Sequence, residues 1–109
     1  MKFKRAVIAT GARAAAPPIK GLSDVDYLTN ESVFSLTELP KRLGIIGAGP
    51  IGCELAQTFA YLGSEVFLVE SEHGILTKED REAAEIVHKA LTDAGVKLLC
   101  CGQNLEIKN

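Results

Sequence analysis

Gly47, Gly49 and Gly52 stand at G-x-G-x-x-G spacing within the stretch "RLGIIGAGPIGCELA", residues 42–56, and this spacing restricts the fold more than any other feature of the chain. The glycines follow an apolar run, residues 43–46, that reads as a strand covered on both faces. They precede Ile51, Leu55, Phe59 and Leu62, which fall at helical spacing. Pro50 suits the first turn of that helix and Gly63 stops it. Gly47 permits a tight turn out of the strand, and Gly49 lets backbone approach a pyrophosphate where a Cβ would collide. Gly52 lets the helix pack closely on the strand. The backbone N–H groups of Ile51 and Gly52 then face the phosphates with the positive end of the helix dipole behind them, Pro50 having no N–H to give.

The rest of the second half repeats the alternation. Residues 65–69, "EVFLV", are rich in strand formers and predict a second strand. A loop over 71–76 leads to a helix opened by Thr77, with Asp80 three residues later in the manner of a capping box and Glu79 and Glu82 favouring the positive helix end. Ala83, Val87, Ala90, Leu91 and Ala94 line one face of it, and Gly95 ends it. Residues 96–101 predict a third strand. The order strand, helix, strand, helix, strand predicts the α/β class: a Rossmann-type parallel sheet, the βαβαβ half of a three-layer, doubly wound fold. Ahead of it, residues 6–9 read as a further strand halted by Thr10 and Gly11, and residues 11–40 as a long connection. A connection of that length is uncommon inside one compact domain, which implies a link between two.

Glu70 gives the glycines their context. It closes the second strand eighteen residues beyond Gly52, near the separation of about 20 expected of an acid that accepts hydrogen bonds from a ribose. Its carboxylate would repel a 2′-phosphate, and its neighbours Ser71, Glu72 and His73 include no arginine to receive one, so NAD is favoured over NADP. His73 alone among them can carry partial positive charge. Glu54, two residues after the third glycine and assigned to the first helical turn, complements the helix dipole when read by itself.

Composition excludes more than it selects. A chain of 109 residues forms one small domain at most and is short for a two-substrate enzyme. A net charge of −2 argues against nucleic-acid or anionic-membrane partners, and no apolar run approaches the ~20 residues of a spanning helix. The basic N-terminus has too brief an apolar segment for a signal peptide. Cys53, Cys100 and Cys101 form no C-x-x-C pair, and with only His73 and His88 beside them zinc has no ligand set. They read as small buried apolar side chains in a reduced, cytoplasmic setting.

Residues 6–22, "AVIATGARAAAPPIKGL", and 27–70, "YLTNESVFSLTELPKRLGIIGAGPIGCELAQTFAYLGSEVFLVE", closely resemble the flavin-dependent pyridine nucleotide-disulfide oxidoreductases. That family includes dihydrolipoamide dehydrogenase, mercuric reductase and glutathione reductase, and the wording "GAGPIGCELAQ" looks most like the first two branches. The resemblance implies that Ala9-Thr10-Gly11 closes the first part of an FAD domain, with Thr10 and Gly11 near FAD in the full-length parent. Residues 1–38 would then be the end of the FAD domain and the interdomain linker, and 39–109 a truncated NAD(H)-binding Rossmann domain. Gly47, Gly49 and Gly52, with Pro50 and Ile51 between them, match the nicotinamide-cofactor fingerprint, and Glu70 matches the ribose-binding acid of NAD-using members. Glu54 matches a glutamate beside the nicotinamide. Pro50 stands where some relatives carry a tyrosine that shields the flavin, and Ala14 where relatives often have proline.

The same resemblance implies a full-length homodimeric parent that passes hydride from NAD(P)H through FAD to a disulfide or related acceptor. The N-terminal FAD fingerprint, the C-x-x-x-x-C redox pair and the dimerisation domain have no counterpart in the sequence, and none of the three cysteines matches the redox pair. This chain is therefore expected to bind a nicotinamide dinucleotide at most and to have no catalytic residue of its own. The rival reading is a stand-alone NAD- or adenine-nucleotide-sensing module without redox activity; S-adenosylmethionine is a weaker third.

Overall fold

A computed structural model describes residues 2–13, 15–100 and 105–108. Strand β1 (Arg42–Ile46) leads into helix α1 (Pro50–Leu62), then β2 (Glu65–Val69), α2 (Arg81–Asp93) and β3 (Lys97–Leu99). The strands form one parallel sheet in the order β1-β2-β3, with Ile45 beside Leu68 and Leu68 beside Leu98. Parallel neighbours cannot be joined by a tight hairpin, and the two helices supply the crossovers. The expected α/β alternation is thus present.

Along β2 the side chains alternate, so Val66 and Leu68 point to one face and are fully buried there. Both helices serve that face, since Cys53 and Ala56 of α1 and Leu91 of α2 join Val66 and Leu68 in one core cluster. The opposite face, which carries the half-exposed Ile46 and Leu99, is the one a third layer would use. The seam of α1 differs from the one its hydropathy suggested. Ile51 and Leu62 are 54% and 60% exposed, while Cys53 and Ala56 are buried. Small side chains win here because the helix axis lies close to the strand end, where only side chains of low volume fit. Leu55 and Phe59 are half-buried beside them.

Helix α2 begins three residues later than the capping-box reading placed it. Asp80, not Thr77, is the N-cap, and its Oδ1 accepts hydrogen bonds from the N–H groups of Glu82 and Ala83. Residues 77–79 instead form a turn in which the Glu79 N–H donates to the Leu76 carbonyl. The inward line on α2 is the buried Ala84 and Leu91 with the half-buried Val87; Ala83 is exposed. Gly63 and Gly95 end their helices with positive φ, as expected of glycine just past a helix. Strand β3 is shorter than the predicted run 96–101; Cys100 is exposed rather than buried, and Cys101 lies outside the described residues, as does Ala14.

The strand expected at 6–9 does not form: this segment pairs with nothing among the described residues, and Val7 and Ile8 are 92% and 86% exposed. An extended segment without a ladder leaves its backbone groups to solvent. The connection over 11–40 carries two short 3₁₀ turns, Leu22–Asp24 and Ser32–Ser35, each burying one apolar side chain, Leu22 and Val33. It is fastened at two points, one within it and one at its C-terminal end. The Ile107 N–H donates to the Lys20 carbonyl, and at the C-terminal end the Ser64 hydroxyl donates to the Pro40 carbonyl at 2.6 Å.

Candidate functional site: a cleft between the glycine loop and the β2–α2 turn

The glycine loop is shaped by its own sequence. Gly47 leaves β1 with φ +100°, a value L-residues avoid, and its N–H donates to the Val69 carbonyl. Gly52 faces that turn so closely that a Cβ added to it would stand 2.0 Å from the Gly47 carbonyl oxygen. Gly49 is the N-cap of α1 and has ordinary extended backbone; a Cβ there would meet nothing within 4 Å. Of the three glycines, Gly47 is required by its backbone conformation and Gly52 by packing, and Gly49 borders open space. That space is where a ligand backbone would lie.

No side chain caps α1, and the first intrahelical bond is made by the Cys53 N–H to the Gly49 carbonyl. The N–H groups of Ile51 and Gly52 therefore have no intrahelical acceptor, and they point out of the helix start with its positive end behind them. An anionic group seated against Gly49 meets both.

Glu70 closes the site from the other side. Its Oε2 accepts the Ala48 N–H at 2.8 Å, while Oε1 accepts the N–H groups of Ser71 and Glu72 and the Ser71 hydroxyl. Burial pushes this carboxyl up, but the bonds from Ala48, Glu72 and Ser71 outweigh burial and hold it below the ordinary carboxylate range. Glu70 is therefore ionised at neutral pH. Its Oε1 is saturated, whereas Oε2 has taken one donor and retains acceptor capacity. A group with a depressed folded-state pKa stabilises the fold above its unfolded pKa, and that contribution disappears as pH falls through the folded value. In urea unfolding, Glu70→Gln is thus expected to be less stable than the unaltered chain at pH 7 and to match it at pH 2–3; a gap that persists unchanged in acid would contradict this linkage.

The site has a wall that sequence reasoning missed. A cleft of about 310 Å³ lies between the loop residues Ala48, Gly49 and Pro50 and the turn Leu76–Thr77–Lys78–Glu79, with Glu70 and Glu72 also on its lining. The turn is tied to the glycine loop by one main-chain bond, the Leu76 N–H to the Ala48 carbonyl at 2.9 Å. Leu76 adopts φ +49°, the only positive φ at a described non-glycine residue, and its neighbour Ile75 is anchored in the core. Nothing local in the sequence marks residues 76–79 as part of a site, because their position depends on a bond to a residue 28 positions away. Ala48 is the hub of the arrangement: its N–H goes to Glu70, and its carbonyl also receives the Cys53 thiol at 3.5 Å. Burial pushes that thiol up, and the charges of Glu54 and Glu70 push it further, so Cys53 is a protonated packing group beneath the loop.

Of the residues singled out from sequence, the cleft brings together Gly49, Pro50 and Glu70, with Gly47, Ile51 and Gly52 forming the turn and helix start behind it. Glu54 is the fifth residue of α1, beyond its first turn, and is exposed; the placement on the first turn is corrected accordingly. Thr10 and Gly11 lie in the exposed N-terminal segment and do not line the cleft. Among the described residues no three metal-ligating side chains converge, and no helix is long and apolar enough to cross a membrane.

Comparison with known proteins places this geometry in context. A family model described as pyridine nucleotide-disulphide oxidoreductase matches residues 1–109. A mercuric reductase of Bacillus cereus is 49% identical over 96 residues, which are 88% of this chain and 15% of that protein. Among solved structures, the Cu(II) complex of the HOCl-induced flavoprotein disulfide reductase RclA from Escherichia coli superposes with a TM-score of 0.77 at 38% identity, covering 84% of this chain and 22% of that one. A ferredoxin reductase of the CYP199A2 system from Rhodopseudomonas palustris gives 0.80 at 31% identity, covering 93% and 27%. The chain spans less than a quarter of the length of the curated relatives it matches.

Proposed function

The chain belongs to the pyridine nucleotide-disulphide oxidoreductase family, and from that premise we propose that residues 39–109 bind the pyridine nucleotide, NAD(H) in preference to NADP(H), with residues 1–38 leading in from a flavin domain. In the whole protein this segment presents reduced nicotinamide to FAD, and the flavin passes the electrons to a disulfide or related acceptor. The relatives named mercuric reductase and flavoprotein disulfide reductase support that setting. The chain's own part is binding and orientation, since none of its side chains takes up a hydride.

One observation carries the reading: at Gly49 the helix start, without a side-chain cap, opens onto a cleft that also holds the ionised Glu70. The diphosphate lies against Gly49 and receives the N–H groups of Ile51 and Gly52. The adenosine ribose extends toward Glu70, where Oε2 accepts from its hydroxyls and a 2′-phosphate meets a like charge. Glu54, Thr10 and Gly11 act at the flavin and nicotinamide end in the whole protein. Calorimetric titration with NADH and NADPH tests this directly. NADH is expected to bind, and NADPH more weakly; equal affinity would remove the role of Glu70, and binding of neither would remove the reading.

A further inference from the structure

We propose that Arg81 is a positioning residue for the cleft, acting through the Ile75–Leu76 peptide group to hold the turn 76–79 against the glycine loop. Resting on the nucleotide reading above, this role goes to a residue outside the cleft lining. Arg81 is the first residue of α2, directly after the Asp80 N-cap. Its guanidinium bridges back across the turn: Nη2 donates to the Ile75 carbonyl at 3.3 Å and lies 3.7 Å from the place a Cβ on Gly74 would occupy. A cation in the first turn of a helix meets the positive end of the dipole, so the helix itself disfavours an arginine there. The bond to Ile75 compensates.

The Ile75 carbonyl and the Leu76 N–H belong to one planar peptide group and point in opposite directions from it. Arg81 holds the carbonyl side, and the Ala48 carbonyl holds the N–H side at 2.9 Å. The same plane sets Leu76 at φ +49°, a value that bulky L-residues rarely adopt. Turning the plane over would return Leu76 to negative φ and break both bonds at once. The plane therefore has two settings, and the guanidinium favours the one that donates to Ala48. Donation from a charged group also polarises the amide, which strengthens its own N–H as a donor. Ala48 carries the effect into the site, because its N–H donates to Glu70 Oε2 at 2.8 Å and it lines the cleft beside Gly49.

Amide hydrogen exchange followed by NMR, together with NADH titration, tests this on the unaltered chain, Arg81→Met and Arg81→Lys. Methionine keeps part of the apolar stem and removes the donor. Lysine keeps a charged donor, and one bond to one carbonyl does not need the planar fork of arginine. Arg81→Met is expected to speed exchange at the Leu76 amide by about tenfold. The buried strand residues Val66 and Leu68 should exchange as before. NADH affinity is expected to fall by about fivefold in the same variant, and Arg81→Lys to restore most of both. A role confined to helix stability would speed exchange along α2 without singling out Leu76, and that pattern would overturn the assignment. Unchanged exchange at Leu76 would overturn it too, as would unchanged NADH affinity with Leu76 loosened; in each case NADH binding by the unaltered chain would stand. Failure of the unaltered chain to bind NADH would instead overturn the nucleotide reading, and the effect of Arg81 on the site with it.

Discussion

Gly52→Ala is expected to destabilise the chain by about 3 kcal/mol, as backbone-limited overpacking does at its upper range. The added methyl would stand 2.0 Å from the Gly47 carbonyl oxygen and 3.1 Å from its carbon, and both are main-chain atoms at the end of β1. A flexible side chain swings aside cheaply; this turn does not. Gly47 is already committed to φ +100°, and its N–H is engaged with Val69 at 2.8 Å. Relief therefore requires α1 to move off the sheet, which opens the contacts of Cys53 and Ala56 in the core cluster. Urea unfolding measures the effect, and a midpoint equal to that of the unaltered chain would contradict it. Gly44, which has open space around its missing Cβ and lies on the exposed edge of β1, serves as the control.

Glu70→Ala is the substitution with the largest expected effect on nucleotide choice. Two losses coincide. The charged acceptor for the ribose disappears, and the Ala48 N–H loses the partner that holds the glycine loop against the end of β2. Hydrogen bonds to a charged group contribute about 1.5–3 kcal/mol, so NADH affinity is expected to fall by roughly tenfold to a hundredfold. NADPH loses the same loop support but gains relief from a like charge, so its affinity falls less and the gap between the two narrows. Parallel titrations of Glu70→Ala and Glu70→Gln separate the contributions. The glutamine side-chain oxygen can still accept from Ala48, so Glu70→Gln keeps part of the loop support while losing the charge. An unchanged NADH-to-NADPH ratio in both variants would show that Glu70 serves the loop alone.

The two strands that flank the glycines were legible in the sequence because local pattern determines them. The run "EVFLV" became β2 with the bounds its composition suggested, and Pro50 and Gly63 marked the ends of α1. Local pattern was silent where distant contacts decide. The seam of α1 is set by closeness to the sheet, which selects Cys53 and Ala56 for size, while hydropathy alone pointed to Ile51 and Leu62. Thr77 and Asp80 are both good caps, and the bond from Leu76 to Ala48 decides between them by drawing residues 76–79 into the cleft wall. Residues 6–9 have the composition of a strand, but a strand is a pairing, and none is available to them among the described residues. Its distance to the glycines singled out Glu70, which lines the cleft, but its four hydrogen bonds to the loop backbone and Ser71 were not legible.

Gly49→Ala gives the most direct test of nucleotide binding at the glycine loop. Unlike Gly52, Gly49 has ordinary extended backbone and nothing within 4 Å of the position its Cβ would occupy, so the alanine variant is expected to fold with only the modest loss of a helix-cap change. The added methyl intrudes only on the space assigned to the diphosphate. NADH should be titrated into the unaltered chain and Gly49→Ala side by side, with thermal unfolding of both as the reference. Near-equal melting with at least a tenfold loss of NADH affinity is the expected result. Near-equal melting with unaltered NADH affinity would mean that the dinucleotide does not pass over Gly49, and the cleft would have to be read as something other than its binding site.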